Sequence, residues 1–155
     1  ERFKGTGHLQ KVVGITPYGS FHWARVVFQN WTVVSFFCLK TGKDLKSYFY
    51  GSMHLYDMEA GRHVEFDSPK LRISAVRGKN LMWDIEGKDG ENELRMVLEV
   101  YGEKKYTLNG HGVQTYVEYA VIPIEFSFKS RDRRLTLRDL GKGIGTFEDA
   151  STSLF

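Results

Sequence analysis

The chain is short of the residues that lock a fold covalently. Of its 155 residues only Cys38 is a cysteine. An intrachain disulfide is therefore excluded, and the lone thiol leans towards a reducing compartment, so a cytoplasmic location is expected. No apolar run approaches the roughly 20 residues that cross a bilayer, so no transmembrane segment is expected, and no signal peptide is visible. Neither charge sign dominates: 22 basic residues stand against 19 acidic ones, a formal net charge of +3. That balance gives no argument for nucleic acid as a partner. The one locally basic stretch, KSRDRRLTLRD at 129–139, reads as a solvated strand face. No segment carries a helical apolar stripe, and no period of about 20–50 residues points to propeller blades or a solenoid. The chain begins with Glu1, as a processed or excised piece would.

What the chain has is glycine and aromatic side chains. Sixteen glycines against three prolines imply many tight turns. Aromatics reach 14% and hydrophobic residues 41%, which fits a folded domain rich in strands and in apolar walls. Alternation with period two recurs almost everywhere. In FHWARVVFQ, Phe21, Trp23, Arg25 and Val27 share one face and His22, Ala24, Val26 and Phe28 the other. A turn at Gln29-Asn30 leads into WTVVSFFCLK, and LKSYFYGSMHLYDM reads as a strand broken or bulged at Gly51. LRISAVRG and LMWDIEG alternate cleanly, and Asp89-Gly90 marks a hairpin into LRMVLEVYG. VQTYVEYAVIPIEFSFK is too long for one simple strand, and Pro123 is expected to bend or break it. RRLTLRDL reads as the last clear strand and GKGIG as a loop. The pattern predicts an all-β chain, an antiparallel lipocalin-like β-barrel spanning 1–155 as a single domain.

Few residues have the spacing that specific chemistry needs. The five histidines, at 8, 22, 54, 63 and 111, form no pair at helical or alternate-strand spacing. A metal site would need ligands gathered only by the fold, so none is expected. Cys38 sits inside an apolar strand and reads as a buried, inert thiol. GKGIG lacks the following Lys-Ser/Thr of a phosphate loop. Glu118, between Tyr116 and apolar neighbours, could serve as a proton donor if it pointed inward. Alternation groups it with Tyr116 and Ala120, opposite the more core-like Val117, Tyr119 and Val121. GHLQKVVG at 7–14 places His8, Gln10 and Val12 on one face, two neutral polar groups able to hydrogen-bond a ligand or a barrel-interior partner.

This last stretch resembles the G-Y-x-E-K-N/D-W-G segment of tocopherol-cyclase proteins and the G-Y-H-D-H-N-W-G segment of carotenoid 1,2-hydratases (hydroxyneurosporene synthases). Phe21-His22-Trp23-Ala24-Arg25 is similar to the Trp-rich strand that follows there, with Phe in place of the first Trp. GKGIGTFE at 141–148 looks like the glycine-rich segment that precedes a Glu near the family's C-terminus. The resemblance covers the first forty residues best. It implies lipocalin-like barrels, usually two per chain, and cofactor-free protonation chemistry on polyene or prenyl substrates. Gln10 stands where the family carries an acid, and an amide cannot donate a proton as a carboxylic acid does.

The expected function is therefore binding of an apolar small molecule, isoprenoid or lipid-like, in a barrel cavity without a cofactor. The ligand-binding set is His8, Gln10, Phe21, Trp23, Arg25, Tyr116 and Glu118. The alternative is a cofactor-free isomerase, cyclase or hydratase, with Glu118, Asp57 or His8 as candidate acids. A third option is an interaction domain with a filled interior. One barrel where the family carries two makes a homo-oligomer, first of all a homodimer, the expected assembly.

Overall fold

Period-two alternation becomes strand throughout the computed structural model, which describes residues 20–41, 47–67, 71–110 and 112–153. The strands are β1 (Phe21–Phe28), β2 (Val33–Thr41), β3 (Ser47–Asp57), β4 (Arg62–Asp67), β5 (Leu71–Arg77), β6 (Leu81–Asp89), β7 (Asn92–Gly110), β8 (Gly112–Lys129), β9 (Arg134–Thr136) and β10 (Gly143–Ser153). A single helical turn, α1 (Leu137–Leu140), follows β9. Every paired strand is antiparallel. The sheet order is β4-β3-β2-β1-β10-β8-β7-β6-β5, with β9 added on β8. No described helix is long and apolar enough to cross a membrane.

The two ends of this path curl towards each other and nearly close a barrel. The seam is set by Gly87 of β6: a Cβ there would stand 2.5 Å from Met53 Cε and 3.0 Å from Phe66 Cγ. Only a residue without a side chain lets β6 come so close to β3 and β4. The inward faces meet in one core that includes Val26, Phe28, Phe36, Leu55, Phe66, Ile85, Leu98, Phe126, Phe128 and Phe147. Interior-facing residues of a small barrel fill it with side chains, and here aromatic rings do much of the filling.

Several local expectations are corrected. The β1–β2 turn runs through Trp31 and Thr32, with Trp31 at φ 70° and the Asn30 side chain accepting from the Thr32 N–H at 3.0 Å. β3 runs on through Gly51, and its irregularity lies where the partner register shifts between Leu39 and Lys40. Pro123 does not break β8. It sits where the β7 register shifts between Val97 and Leu98, and on β8's other side the β10 pairing stops at Val121 and the β9 pairing starts at Ser127. A residue without an N–H is tolerated in such a gap. The last clear strand is short, because the RRLTLRDL run turns helical after Thr136. GKGIG is not a loop throughout. Gly143–Gly145 open β10, which lies between β1 and β8. A side chain at Gly145 would collide with the Arg25 carbonyl of β1.

Candidate binding site in the barrel

On β1 the inward face is His22, Ala24, Val26 and Phe28. Sequence alternation could not choose between the two faces, since both are largely apolar. His22 lies opposite Asp149 of β10 on one side and Cys38 of β2 on the other. Its Nε2 is 3.2 Å from Asp149 Oδ1, and the buried ammonium of Lys40 bonds the same oxygen. Burial lowers the His22 imidazole below its ordinary value; the hydrogen bond to Asp149 pulls it back and Lys40 adds to the lowering. Burial pushes the Asp149 carboxyl up, but the His22 and Lys40 hydrogen bonds outweigh it and the net direction is down. The cluster is thus a neutral imidazole donating to a carboxylate that a lysine neutralises.

Aromatic rings surround this cluster. Trp83 of β6 lies 5.2 Å from the His22 ring and stacks on Phe147 at 4.1 Å. Tyr119 of β8 closes on Trp83 at 5.9 Å. Trp83 is 5% exposed, and its Nε1 has no hydrogen-bond partner among the described residues. A buried indole N–H normally finds an acceptor, and leaving one unmet costs roughly 1–3 kcal/mol. Beside them, burial pushes the Cys38 thiol up to about 12, which leaves it unreactive.

The residues singled out in the sequence go elsewhere. Phe21, Trp23 and Arg25 do share a face, but it is the outer, half-buried one, turned away from the core. Phe21 packs on Phe37 at 5.6 Å. Arg25 Nε is buried without a partner among the described residues, and burial lowers its guanidinium. Glu118 also faces outward, while Tyr119 and Val121 enter the core. Tyr116 lies on β8 in register with Tyr106 and Ala150. His8 and Gln10 lie outside the described residues. Asp57 is 2% exposed and bound by Arg133 Nε at 2.8 Å, so it is engaged in an ion pair rather than available as an acid.

The outer face has its own pattern. Across the ladder Trp23 stands opposite Glu148, Glu148 opposite Glu118, and Glu118 opposite Lys104. Tyr106 donates to Glu118 at 3.3 Å. Burial first, and then the charge of Glu118, hold the Glu148 carboxyl above its ordinary value. The sequence pointed to Trp23, Glu118 and the Glu-ended GKGIGTFE segment separately; that they share one face was hidden, because the pairing of β10 with β1 and β8 is not visible in spacing.

The hairpin of β3 and β4 gathers a third set that spacing concealed. His54 Nδ1 and His63 Nε2 are 3.0 Å apart. The ligand atoms of His54, His63 and Glu65 all lie within 4.8 Å of one another. Counting outward from the MEAGRH turn would have shown it, since Asp57 pairs with Arg62 and His54 with Glu65.

No protein-family model matches the chain, and no curated protein matches it. Among solved structures, it is similar to a Nitrosomonas europaea protein provisionally named AttH. The TM-score is 0.50 at 16% identity, over 90% of this chain and 40% of that one. The shared property is the fold. This chain spans well under half the length of that neighbour.

Proposed function

We propose that the chain is a binding module for a small, largely apolar molecule that carries an oxygen acceptor. The observation that supports it is the buried Trp83 Nε1–H, unpaired among the described residues beside the His22–Asp149–Lys40 cluster. A ligand oxygen accepting from Trp83 would satisfy that donor, and the rings that fill the interior would have to move apart to admit an apolar body such as an isoprenoid or acyl chain. No cofactor is required for this. The experiment is a fluorescence titration with cis-parinaric acid, together with native mass spectrometry of freshly purified protein for a co-purified lipid. Trp83→Phe keeps the ring and removes the donor. Saturable uptake by the wild type, weakened at least about tenfold in Trp83→Phe, is the expected result; a tenfold loss is about 1.4 kcal/mol. A wild type that takes up neither probe nor lipid would leave the filled-interior domain as the better account.

The second reading is cofactor-free acid catalysis on a prenyl or polyene substrate. Glu148, whose carboxyl is raised above its ordinary value by burial and then by the charge of Glu118, and which lies opposite Trp23, supports it. A carboxyl group so placed can protonate a double bond, and the paired carboxylate can take a proton from the resulting cation. Product formation from geranylgeraniol or a linear carotene that disappears in Glu148→Gln would favour this reading over simple binding.

A further inference from the structure

The outer surface of the β3–β4 hairpin places two imidazoles and a carboxylate at chelating distance. His54 and Glu65 are directly opposite in the ladder, and His63 is diagonal to His54, beside its own partner Tyr56. The His54 Nδ1 to His63 Nε2 separation is 3.0 Å. Two nitrogens bound to one zinc at about 2.0–2.1 Å with tetrahedral angles stand roughly 3.3 Å apart, so a shift of a few tenths of an ångström admits the ion.

Both rings are already held in place. Tyr56 stacks on His63 at 4.5 Å with planes 6° apart. Ser52 Oγ meets His54 Nε2 at 2.7 Å. When that nitrogen donates its proton to Ser52, Nδ1 presents its lone pair towards His63, which is the arrangement that a second-shell hydrogen bond provides in metal sites. His54 is half-buried.

We propose that His54, His63 and Glu65 bind one divalent first-row transition ion of the borderline kind, Zn2+ above all, with water in the fourth position. Two imidazoles and one carboxylate suit zinc and are a poor set for Mg2+ or Ca2+, which prefer all-oxygen shells. The ion would tie β4, the six-residue strand at one end of the sheet path, to β3. This proposal is independent of any ligand in the barrel.

The test uses tag-free, chelator-treated protein. Zn2+ is titrated by calorimetry and melting is followed with and without the ion; Co2+ then reports geometry through its visible absorption. Expected are one Zn2+ per chain, a higher melting temperature with zinc, and a tetrahedral Co2+ spectrum. His63→Gln, at an exposed position where folding is not at stake, should weaken binding at least about tenfold. Ser52→Ala should weaken it by roughly tenfold while leaving the stoichiometry at one. Absence of saturable Zn2+ binding below millimolar concentration, or binding undiminished in His63→Gln, would overturn the site. Binding without a rise in melting temperature would overturn the tie between β3 and β4.

Discussion

Trp83 of β6 lies almost flat on Phe147 of β10, with ring centroids 4.1 Å apart and planes 14° apart. Between them in the sheet path lie β8 and β7, so the contact reaches across the barrel interior. Phe147 is fully buried, whereas Trp23, on the outer face of β1, is half-buried. Phe147→Ala should therefore cost on the order of 3–5 kcal/mol. Trp23→Ala should cost about 1–2 kcal/mol, because only part of its surface leaves water on folding. Urea unfolding of both variants checks the order, and an equal or reversed pair of losses would contradict the assignment of inner and outer faces.

Acid should weaken the fold through His22. Its folded pKa lies below the unfolded 6.5, so between these values the unfolded chain binds the proton more readily. Stability contributed by the neutral ring is complete above the unfolded value and is lost as pH falls towards the folded one. His22→Gln keeps a donor for Asp149 and removes the titration. Melting curves from about pH 8 to 5 should fall more steeply in the wild type than in the variant. Since His54 titrates in the same direction in both proteins, the difference between the curves isolates His22.

Glu148 should act in the opposite sense. Its folded pKa is raised above the ordinary 4.5, so the fold favours the protonated carboxyl. The stability this contributes is present below the unfolded value and is lost as pH rises through the folded one. Glu148→Gln should melt higher than the wild type at neutral pH and alike in acid. Parallel curves at every pH would contradict the raised carboxyl.

Gly87→Val tests the seam. The new side chain would meet Met53 and Phe66 where β6 faces β3 and β4. Met53 can swing its terminal methyl aside, but the Phe66 ring is fully buried and has less room. Overpacking of this kind typically costs about 1–3 kcal/mol. The measurement is denaturant unfolding, with hydrogen exchange showing whether β4 loses protection first.

Much of the fold was legible because a period of two is local. Leu81, Trp83 and Ile85 announce β6, and Asp89-Gly90 announces its turn, within a window of a few residues. The site was not legible, because its parts are joined by register rather than by spacing. His22 and Asp149 become neighbours only because β10 lies beside β1. Trp23 entered the expected binding set through its likeness to a Trp-rich strand, yet His22 is the residue that goes inside, its polar edge satisfied by Asp149. Pro123 marks an irregularity in the β7–β8 pairing but no break in β8. Its missing donor matters only where a neighbouring strand asks for one, and the strands beside it leave a gap there.

The place of β10 in the path has a consequence for how the chain is made. Its residues emerge after all the other strands, yet it separates β1 from β8 and pairs with both. While a ribosome is still adding residues before Gly143, β1 to β4 and β5 to β9 can form only two half-sheets, each with a long unsatisfied edge. Joining them waits for β10, which makes assembly slow for so many non-local pairings. Until β10 is in place those two edges are competent to pair with other chains, so the chain is most exposed to aggregation before that strand inserts.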